Sequence, residues 1–375
     1  MIVYWSMILW VPLIYGLYNI SHKKDPVQAR ADIRNGVNDK IPLIFCLLVF
    51  GYFIFWIGNR KYVFDTYNYL FIFKSIPKDI DLAWSQIDWA GKGPAFEVYN
   101  VIFKCLISDN YTWWLMSIAI LCGFFVMHTL RKYSMSFFFS CFTFMTLLTF
   151  TWMMNGMRQF ITVAVIFAFA DYIKDGKFLK YIFVVIIMST FHPTCLLMIP
   201  LYFVARARPW SKMTLVFLSV ILIVCVFSEP IFRSLNSALS DTAYSDSINQ
   251  FENDDGVNPI RVAFFAVFPL GAFLLRKRLE PYYEKIPMLP ICINMSLIAD
   301  SLYLIGVFTS GILIGRLPIY CEMFIHLLIP YLLILGFTDE ERRIVKPILV
   351  FVLLLFFYLT FAVSQNYHSD ITGYI

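Results

Sequence analysis

Long apolar segments recur along almost the whole chain and limit its fold more than any other feature. Such segments lie near 2–20, 41–58, 111–129, 134–153, 157–173, 212–230, 260–275, 288–309, 318–336 and 345–364. A helix needs about 20 apolar residues to cross the hydrocarbon core of a bilayer. Charged residues make up only 15% of the 375 residues, whereas an ordinary soluble domain has about 25%. The pattern excludes a soluble protein and predicts an all-α polytopic membrane protein.

The stretch 178–205 forms either one long tilted helix or two short helices broken at Phe191-His192-Pro193. Because basic loops stay on the cytoplasmic side of the membrane, the charge distribution decides between one crossing and two. With an external N-terminus and a double crossing, 20 of the 30 Lys and Arg residues lie in internal loops. A single crossing would place the basic stretches 206–212 and 276–285 outside. We predict the double crossing, about 11–12 transmembrane helices and two external termini.

The hydrophilic material then lies mainly outside. We expect a single transmembrane domain over 1–375 with external loops at 59–110 and 231–258. Within the first loop, 62–73 and 94–107 are too short to span and suit re-entrant or surface-lying helices. The net charge of +5 is not gathered on one basic face, which argues against a nucleic-acid partner. The eight cysteines lack metal-ligand spacing, and we expect no metal and no cofactor.

Three arginines depart from the expected charge distribution. Arg158, Arg261 and Arg316 are external and each precedes or opens a helix that runs inward. Free backbone N–H groups and the positive dipole end of a helix favour an anion there, and a guanidinium adds a fork of donors. Asn155 could cap the helix and Gly156 could allow a close backbone approach. The arrangement indicates a phosphate or pyrophosphate site, although boundary arginines also reach lipid headgroups.

Few ionisable residues lie within the apolar segments, and such residues indicate function by default. Glu322 and His326 are four residues apart, which predicts one helical face below Arg316. Asp300 either belongs to the site or pairs structurally with Arg316. At the predicted break, His192 either belongs to the functional site or satisfies carbonyl groups that the break leaves without a hydrogen-bond donor.

Asp65 lies in the segment NRKYVFDTYNYLFIF, just after the second apolar segment. A carboxylate at an external boundary beside aromatic rings suits deprotonation of a hydroxyl group or hydrogen bonding to a sugar. The interfacial aromatic belt of a membrane protein also explains the tyrosines. Asp79 and Asp81 form a lone DxD pattern, which is a weak indication of metal binding.

A central block of sequence resembles the EpsG-like family of bacterial exopolysaccharide proteins, relatives of the Wzy O-antigen and capsule polymerases. The family signature is NG-x-RQ, followed about 33 residues later by Phe-His-x-Ser/Thr and an apolar stretch with a proline. Its positions are filled here by Asn155, Gly156, Arg158, Gln159, Phe191, His192, Thr194 and Pro200. The resemblance implies an all-α, GT-C-like membrane fold.

Two flanking elements extend the resemblance from about 50 to 330. Asp65-Thr66 with Tyr69 resembles Asp-Thr-x-x-Tyr, and Arg316 with Tyr320 resembles Arg-x-x-x-Tyr.

The chain also departs from the family pattern. Val63-Phe64 stand where the family often has a glycine, and Gly93 precedes Pro94 where a glutamate is frequent. Glu97 offers a carboxylate at a different offset.

The resemblance implies a metal-independent glycosyltransferase that joins polyprenyl-diphosphate-linked oligosaccharide units outside a bacterial cytoplasmic membrane. Its partners would be the lipid-linked donor and acceptor, the bilayer, and a chain-length regulator and flippase. The implied catalytic base is Asp65 or His192, and the implied diphosphate ligands are Arg158, Arg316 and Arg261. Further substrate contacts are expected from Gln159, Tyr69, Tyr320, Glu322, Asp300 and Glu97. A ligase, a transporter or flippase of lipid-linked sugar, and a structural partner of a polysaccharide complex are the alternatives.

Overall fold

The fold was examined in a computed structural model, which describes residues 2–22, 40–228, 256–362 and 366–373. Helices account for the regular secondary structure, and these residues contain no β-strand. The prediction of an all-α fold is therefore confirmed. Most of the expected external loop 231–258 lies outside the described residues.

The first half of the chain combines long apolar helices with short ones. Three short helices, α3 to α5, fall in the hydrophilic loop 59–110, where short helices were predicted. The helices are α1 (Ile2–Ser21), α2 (Leu43–Gly58), α3 (Thr66–Ser75), α4 (Ile80–Ser85), α5 (Pro94–Ile102), α6 (Tyr111–Tyr133), α7 (Phe137–Thr146), α8 (Met157–Ala168) and α9 (Ala170–Lys174).

The second half continues with nine helices among the described residues. They are α10 (Phe178–Ser189), α11 (Met198–Arg206), α12 (Lys212–Val226), α13 (Pro259–Leu274), α14 (Arg276–Leu279), α15 (Met288–Val307), α16 (Ile319–Glu322), α17 (Ile325–Leu335) and α18 (Asp339–Phe357). Short 3₁₀ turns precede α11 and α16, at Pro193–Leu197 and Ile314–Arg316.

Every predicted apolar segment contains at least one helix, but the helices differ in length. Four are long and apolar enough to cross a membrane singly: Ile2–Ser21, Tyr111–Tyr133, Met288–Val307 and Asp339–Phe361. Two bent pairs raise the number to six, with bends of 62° after Leu274 and 48° after Glu322. Six further apolar helices have only 10–17 residues. The chain is a polytopic membrane protein, and the count of 11–12 crossings exceeds the four to six that length and composition support.

The segment 178–205 is a helical hairpin, as the charge distribution predicts. The ring of Phe178, at the start of α10, lies 4.9 Å from the rings of both Tyr202 and Phe203 near the end of α11. Because the beginning of one helix meets the end of the next, the two helices run antiparallel. Pro193 opens the 3₁₀ turn between them, where its missing N–H group costs no helical hydrogen bond.

The helices group into two compact units. The first comprises 1–169, 186–195 and 337–375, and the second comprises 170–185 and 196–336. In the first unit, the fully buried Trp114 of α6 stacks on Phe73 of α3 with ring centroids 4.6 Å apart. The hydroxyl group of Tyr367 donates to the carbonyl oxygen of Trp56 at 2.7 Å. These contacts attach the loop helices and the C-terminal segment to α2 and α6.

The second unit is built around α15. An 18-residue window of this helix is 78% buried, and α13 and α17 both pack against it. At its C-terminal end, the carbonyl oxygen of Gly306 accepts a hydrogen bond of 2.9 Å from the backbone N–H of Val257, just before α13. This contact places the first turn of α13, with Arg261, beside the last turns of α15.

Candidate functional site

The start of α8 is a tight turn that sets the position of Arg158. Gly156 is the N-cap residue and has φ +67°, a left-handed conformation that favours glycine. Its backbone N–H donates to Oδ2 of Asp65 at 2.8 Å. The prediction that Asn155 caps this helix is wrong, because α8 has no side-chain cap. The Asp65 carboxylate lies instead at the positive end of the helix, with Arg158 in the first turn.

A second arginine, Arg60, lies close to Asp65 and was not predicted as a site residue. Arg60 is 1% exposed. Its guanidinium donates to Thr66 Oγ1 at 2.9 Å, to the carbonyl oxygen of Ile57 at 2.6 Å and to Met157 Sδ at 2.8 Å. Burial lowers the pKa of Arg60 to about 10, while the charge of Asp65 acts in the opposite direction. The arginine therefore stays charged and favours the ionised form of Asp65.

A sequence signal for Arg60 did exist. It is external under the predicted topology and adjoins an apolar segment, which is the criterion that selected Arg158, Arg261 and Arg316. Arg60 was missed because it follows the end of a helix instead of opening one.

Thr66 joins the two sequence motifs of the first unit. Its side chain is fully buried, accepts from Arg60 and donates to the carbonyl oxygen of Met154 at 3.3 Å. Asp65 binds Gly156 in the same turn. The Asp-Thr pair thus holds the Asn-Gly-x-Arg turn from two sides, although 91 residues separate Asp65 from Gly156.

Tyr69 completes this group of residues. The charge of Arg158 acts on its hydroxyl group. Burial raises the pKa of Tyr69, the charge of Asp65 raises it further, and Arg158 opposes both effects. The hydroxyl is therefore neutral at physiological pH and can turn between donor and acceptor roles. We call Arg60, Asp65, Thr66, Tyr69 and Arg158 the Asp65–Arg158 cluster.

The loop that carries His192 adjoins this cluster through Gly93. A Cβ atom at Gly93 would lie 2.6 Å from the carbonyl oxygen of Phe191 and 3.2 Å from Nη1 of Arg158. The backbone N–H of Ala95 also donates to the carbonyl oxygen of Thr190 at 3.1 Å. The start of α5 is therefore packed between Arg158 and the residues that immediately precede His192.

Three other predicted residues of the first unit have more local contacts. His192 Nδ1 lies 2.7 Å from Thr194 Oγ1, which orients the ring. Glu97 Oε2 accepts from the backbone N–H of Asp88 at 2.9 Å, so this carboxylate closes a turn at the start of α5. Gln159 is 3% exposed, in the first turn of α8.

Gly93 provides a test of this packing. We expect Gly93→Ala to impair the polysaccharide formation that the family resemblance implies, because its methyl group would be too close to the backbone carbonyl of Phe191 and would displace either that loop or Arg158. Polymer chain length in cells that produce equal amounts of protein measures the effect. Gly51→Ala is the control, since nothing lies within 4 Å of a Cβ atom at Gly51. Equal polymer from both variants would contradict the proposed packing.

In the second unit, Arg261 belongs to a chain of hydrogen bonds. Its Nη2 donates to the hydroxyl group of Tyr303 at 2.9 Å, and that hydroxyl donates to Glu322 Oε2 at 2.5 Å. The guanidinium also lies 4.8 Å from the centre of the Tyr303 ring. Tyr303 and Glu322 are buried, at 1% and 0% exposure. Tyr303 carries no distinctive sequence signal, since one tyrosine in an apolar helix usually belongs to the core.

Two predictions about this unit are wrong. Glu322 and His326 do not share one helical face, because the chain bends by 48° between Ile314–Glu322 and Ile325–Leu335. The bend assigns Glu322 to α16 and His326 to α17, where both are fully buried. The structural pairing of Asp300 with Arg316 is also absent, since Asp300 forms no ion pair with any residue that the structure describes.

Arg316 and Tyr320 differ in exposure. Arg316 lies in the 3₁₀ turn Ile314–Arg316 and is exposed, whereas Tyr320 in α16 is 1% exposed. Arg316 thus precedes a helix, as predicted, but a four-residue one.

The residue types in the Asp65–Arg158 cluster and around Arg261 define the chemistry that each site can perform. Asp79 of the DxD pattern accepts from the backbone N–H of Leu82 and caps α4. Within 2–22, 40–228, 256–362 and 366–373, no group of three or more His, Cys, Asp or Glu side chains is arranged to hold a metal ion. The Asp65–Arg158 cluster combines a guanidinium, a helix N-terminus, a carboxylate and a phenol. Such a set can bind an anion and accept a proton from a neighbouring hydroxyl group.

The comparisons with known proteins agree with the motifs on which this cluster is built. The sequence matches the model of the EpsG family over residues 43–374, which is nearly the whole chain and includes all the candidate site residues. No curated protein and no solved structure matches the chain. The match confirms the resemblance carried by the Asn-Gly-x-Arg and Asp-Thr motifs, and the chain belongs to the EpsG family, a family of polysaccharide polymerases.

Proposed function

We propose that the protein is a membrane glycosyltransferase that joins polyprenyl-diphosphate-linked oligosaccharide units into a polysaccharide on the extracytoplasmic face. The main support is the Asp65–Arg158 cluster. It places a guanidinium in the first turn of α8, beside a carboxylate that the helix N-terminus already binds. Family membership supplies the coarser activity of a polysaccharide polymerase.

In this reaction, a hydroxyl oxygen of the acceptor sugar attacks the anomeric carbon of the donor sugar. The bond from that carbon to the diphosphate oxygen breaks, and the polyprenyl diphosphate leaves with both bonding electrons. Negative charge therefore grows on the leaving oxygen in the transition state. A fixed guanidinium at that point stabilises the charge without reorganisation. Arg158 is the proposed donor, and it is positioned by the first turn of α8 and the adjacent Gly93.

The proton of the attacking hydroxyl group needs an acceptor, and Asp65 is our first choice. One oxygen of its carboxylate binds the Gly156 N–H, and the charge of Arg60 favours the ionised form. An ionised carboxylate is ready to accept a proton but is a weak base. It therefore acts best late in the reaction, when the hydroxyl group has become acidic through bonding to the anomeric carbon.

His192 is the second choice for the base. An imidazole has a pKa closer to neutrality than a carboxylate, which suits general base catalysis. Its position after Phe191, next to Gly93 and hence to Arg158, keeps it near the same group of residues. In the second unit, Arg261 and Arg316 are each proposed to bind a diphosphate, with Tyr303 and Glu322 orienting Arg261.

The extracytoplasmic face is proposed from charge. In the first unit, the start of α1 contacts the 3₁₀ turn that precedes α8 and the residues that follow α18: Tyr4 lies 5.9 Å from Phe150 and 4.7 Å from Phe361, ring to ring. This end carries the Asp65–Arg158 cluster. The opposite ends of these helices adjoin basic loops, which the positive-inside rule assigns to the cytoplasm.

Purified protein in liposomes tests the reaction directly. Supplied with a lipid-diphosphate-linked repeat unit, the protein should produce a ladder of longer lipid-linked glycans and release free polyprenyl diphosphate. A transporter or flippase would move the substrate across the bilayer without lengthening it, and a ligase would transfer it to another acceptor without a ladder. Either result would exclude the polymerase.

A further inference from the structure

A cleft in the first unit lies apart from the Asp65–Arg158 cluster and is lined by α1, α7 and α18. Its volume is about 350 Å³. The lining is almost entirely hydrophobic and combines buried side chains with exposed ones, so the cleft opens onto the surface of the helices. In a membrane protein such a surface faces hydrocarbon chains. Its lining includes Trp5, Tyr15, Ser136, Phe139, Lys346 and Val350.

Lys346 is the one charged residue of this lining. Its Nζ lies 5.6 Å from the centre of the Phe139 ring, and across the described ranges no carboxylate pairs with it. Two of the three carboxylates in the first turn of α18 are used elsewhere, because Asp339 binds Arg342 and Glu341 accepts from the backbone N–H of Thr338. The ammonium group therefore lacks a counter-charge at the edge of an apolar cleft.

The polar groups of the cleft are gathered at one end. The ring of Tyr15 contacts Phe138, and the neighbouring Phe139 lies close to Lys346. At the opposite end of the cleft, Trp5 contacts Phe357 near the end of α18. Lys346 and Leu354, which both line the cleft, are eight residues apart on α18, or about 12 Å at 1.5 Å per residue. The ammonium group of Lys346 and the hydroxyl groups of Tyr15 and Ser136 thus lie at one end of the cleft. The apolar channel of the cleft extends from them over about that length.

We propose that this cleft binds an anionic phospholipid, with one acyl chain in the channel and the phosphate group at Lys346. A single flexible ammonium group matches a phosphodiester with one negative charge. A polyprenyl diphosphate carries more charge and is better held by arginine forks such as that of Arg158. The basic residues near this end belong to loops that the charge rule assigns to the cytoplasm. The site is independent of the proposed polymerase reaction.

Native mass spectrometry of the full-length protein in mild detergent tests the proposal. The protein is delipidated and mixed with equal amounts of phosphatidylglycerol and phosphatidylcholine that carry the same acyl chains. We expect about fivefold preferential retention of phosphatidylglycerol, since one basic residue near a membrane surface contributes about that factor. Lys346→Ala should abolish the preference. Lys212→Ala, at the exposed start of α12, should preserve it.

A second pair of variants tests the channel. Val350→Trp should fill the cleft and reduce retention of both lipids, whereas Ile348→Trp, on an exposed position of the same helix, should leave retention unchanged. If Val350→Trp fails to fold, the exposed Lys346 variant still decides the question. Equal retention of the two lipids by the unaltered protein, or a preference that survives Lys346→Ala, would overturn the proposal. Stronger retention of a polyprenyl phosphate than of phosphatidylglycerol would overturn the assignment of the occupant.

Discussion

Arg158→Ala is expected to lower the rate of polymerisation by about 100- to 1,000-fold, which corresponds to about 3–4 kcal/mol of lost transition-state stabilisation. The guanidinium is proposed to meet the leaving diphosphate, where charge develops as the glycosidic bond breaks. Lipid-linked single units should accumulate, because their synthesis and export do not depend on this residue. Gel analysis of the glycan ladder, together with extraction of lipid-linked units, measures both results.

The controls for Arg158 separate charge from structure. Arg158→Lys keeps the charge but loses the planar fork, so we expect partial activity. Arg343→Ala removes an exposed arginine at the start of α18 and should leave the ladder unchanged. Thermal unfolding in detergent should be similar for Arg158→Ala and the unaltered protein, since Arg158 is only partly buried. A normal ladder from Arg158→Ala would refute its catalytic assignment.

The sequence predicts those features that depend on composition and on local pattern. The scarcity of charge requires lipid contact, and the basic loops on either side of 178–205 predict the hairpin that the Phe178 and Tyr202 rings confirm. Arg158 could be selected because a turn with Gly156 precedes an apolar helix. The family resemblance then relates this turn to Asp65, but it does not supply the contact between them.

Features that depend on tertiary contacts could not be predicted. Asn155 has the usual side chain of an N-cap residue, yet the carboxylate at the helix end comes from Asp65, 91 residues before Gly156. The spacing of Glu322 and His326 predicts one helical face only while the helix is continuous, and a 48° bend separates them. The burial of Arg60 depends on acceptors from Ile57, Thr66 and Met157. A charged residue after an apolar segment does not reveal such partners.

Arg60→Met is expected to produce the largest loss of stability among the substitutions considered. Arg60 is buried and its guanidinium satisfies the Ile57 carbonyl oxygen and Thr66 Oγ1. Methionine fills much of the same volume but donates no hydrogen bond, so two buried acceptors lose their donor. Each such loss costs about 1–3 kcal/mol, which predicts a decrease of about 2–6 kcal/mol in the free energy of unfolding. Denaturant titration in mild detergent measures this decrease.

Lys61→Ala is the matched control for Arg60→Met. Lys61 is the next residue and pairs with Asp370 at 2.6 Å, but both side chains reach water, where an ion pair contributes little. We therefore expect near-normal stability from Lys61→Ala and a strong effect from its neighbour. Arg60→Met should also lower polymerisation in the fraction that remains folded, because Asp65 loses the nearby positive charge that favours its ionised form. Equal stability of the two variants would show that Arg60 does not support the turn on which Arg158 depends.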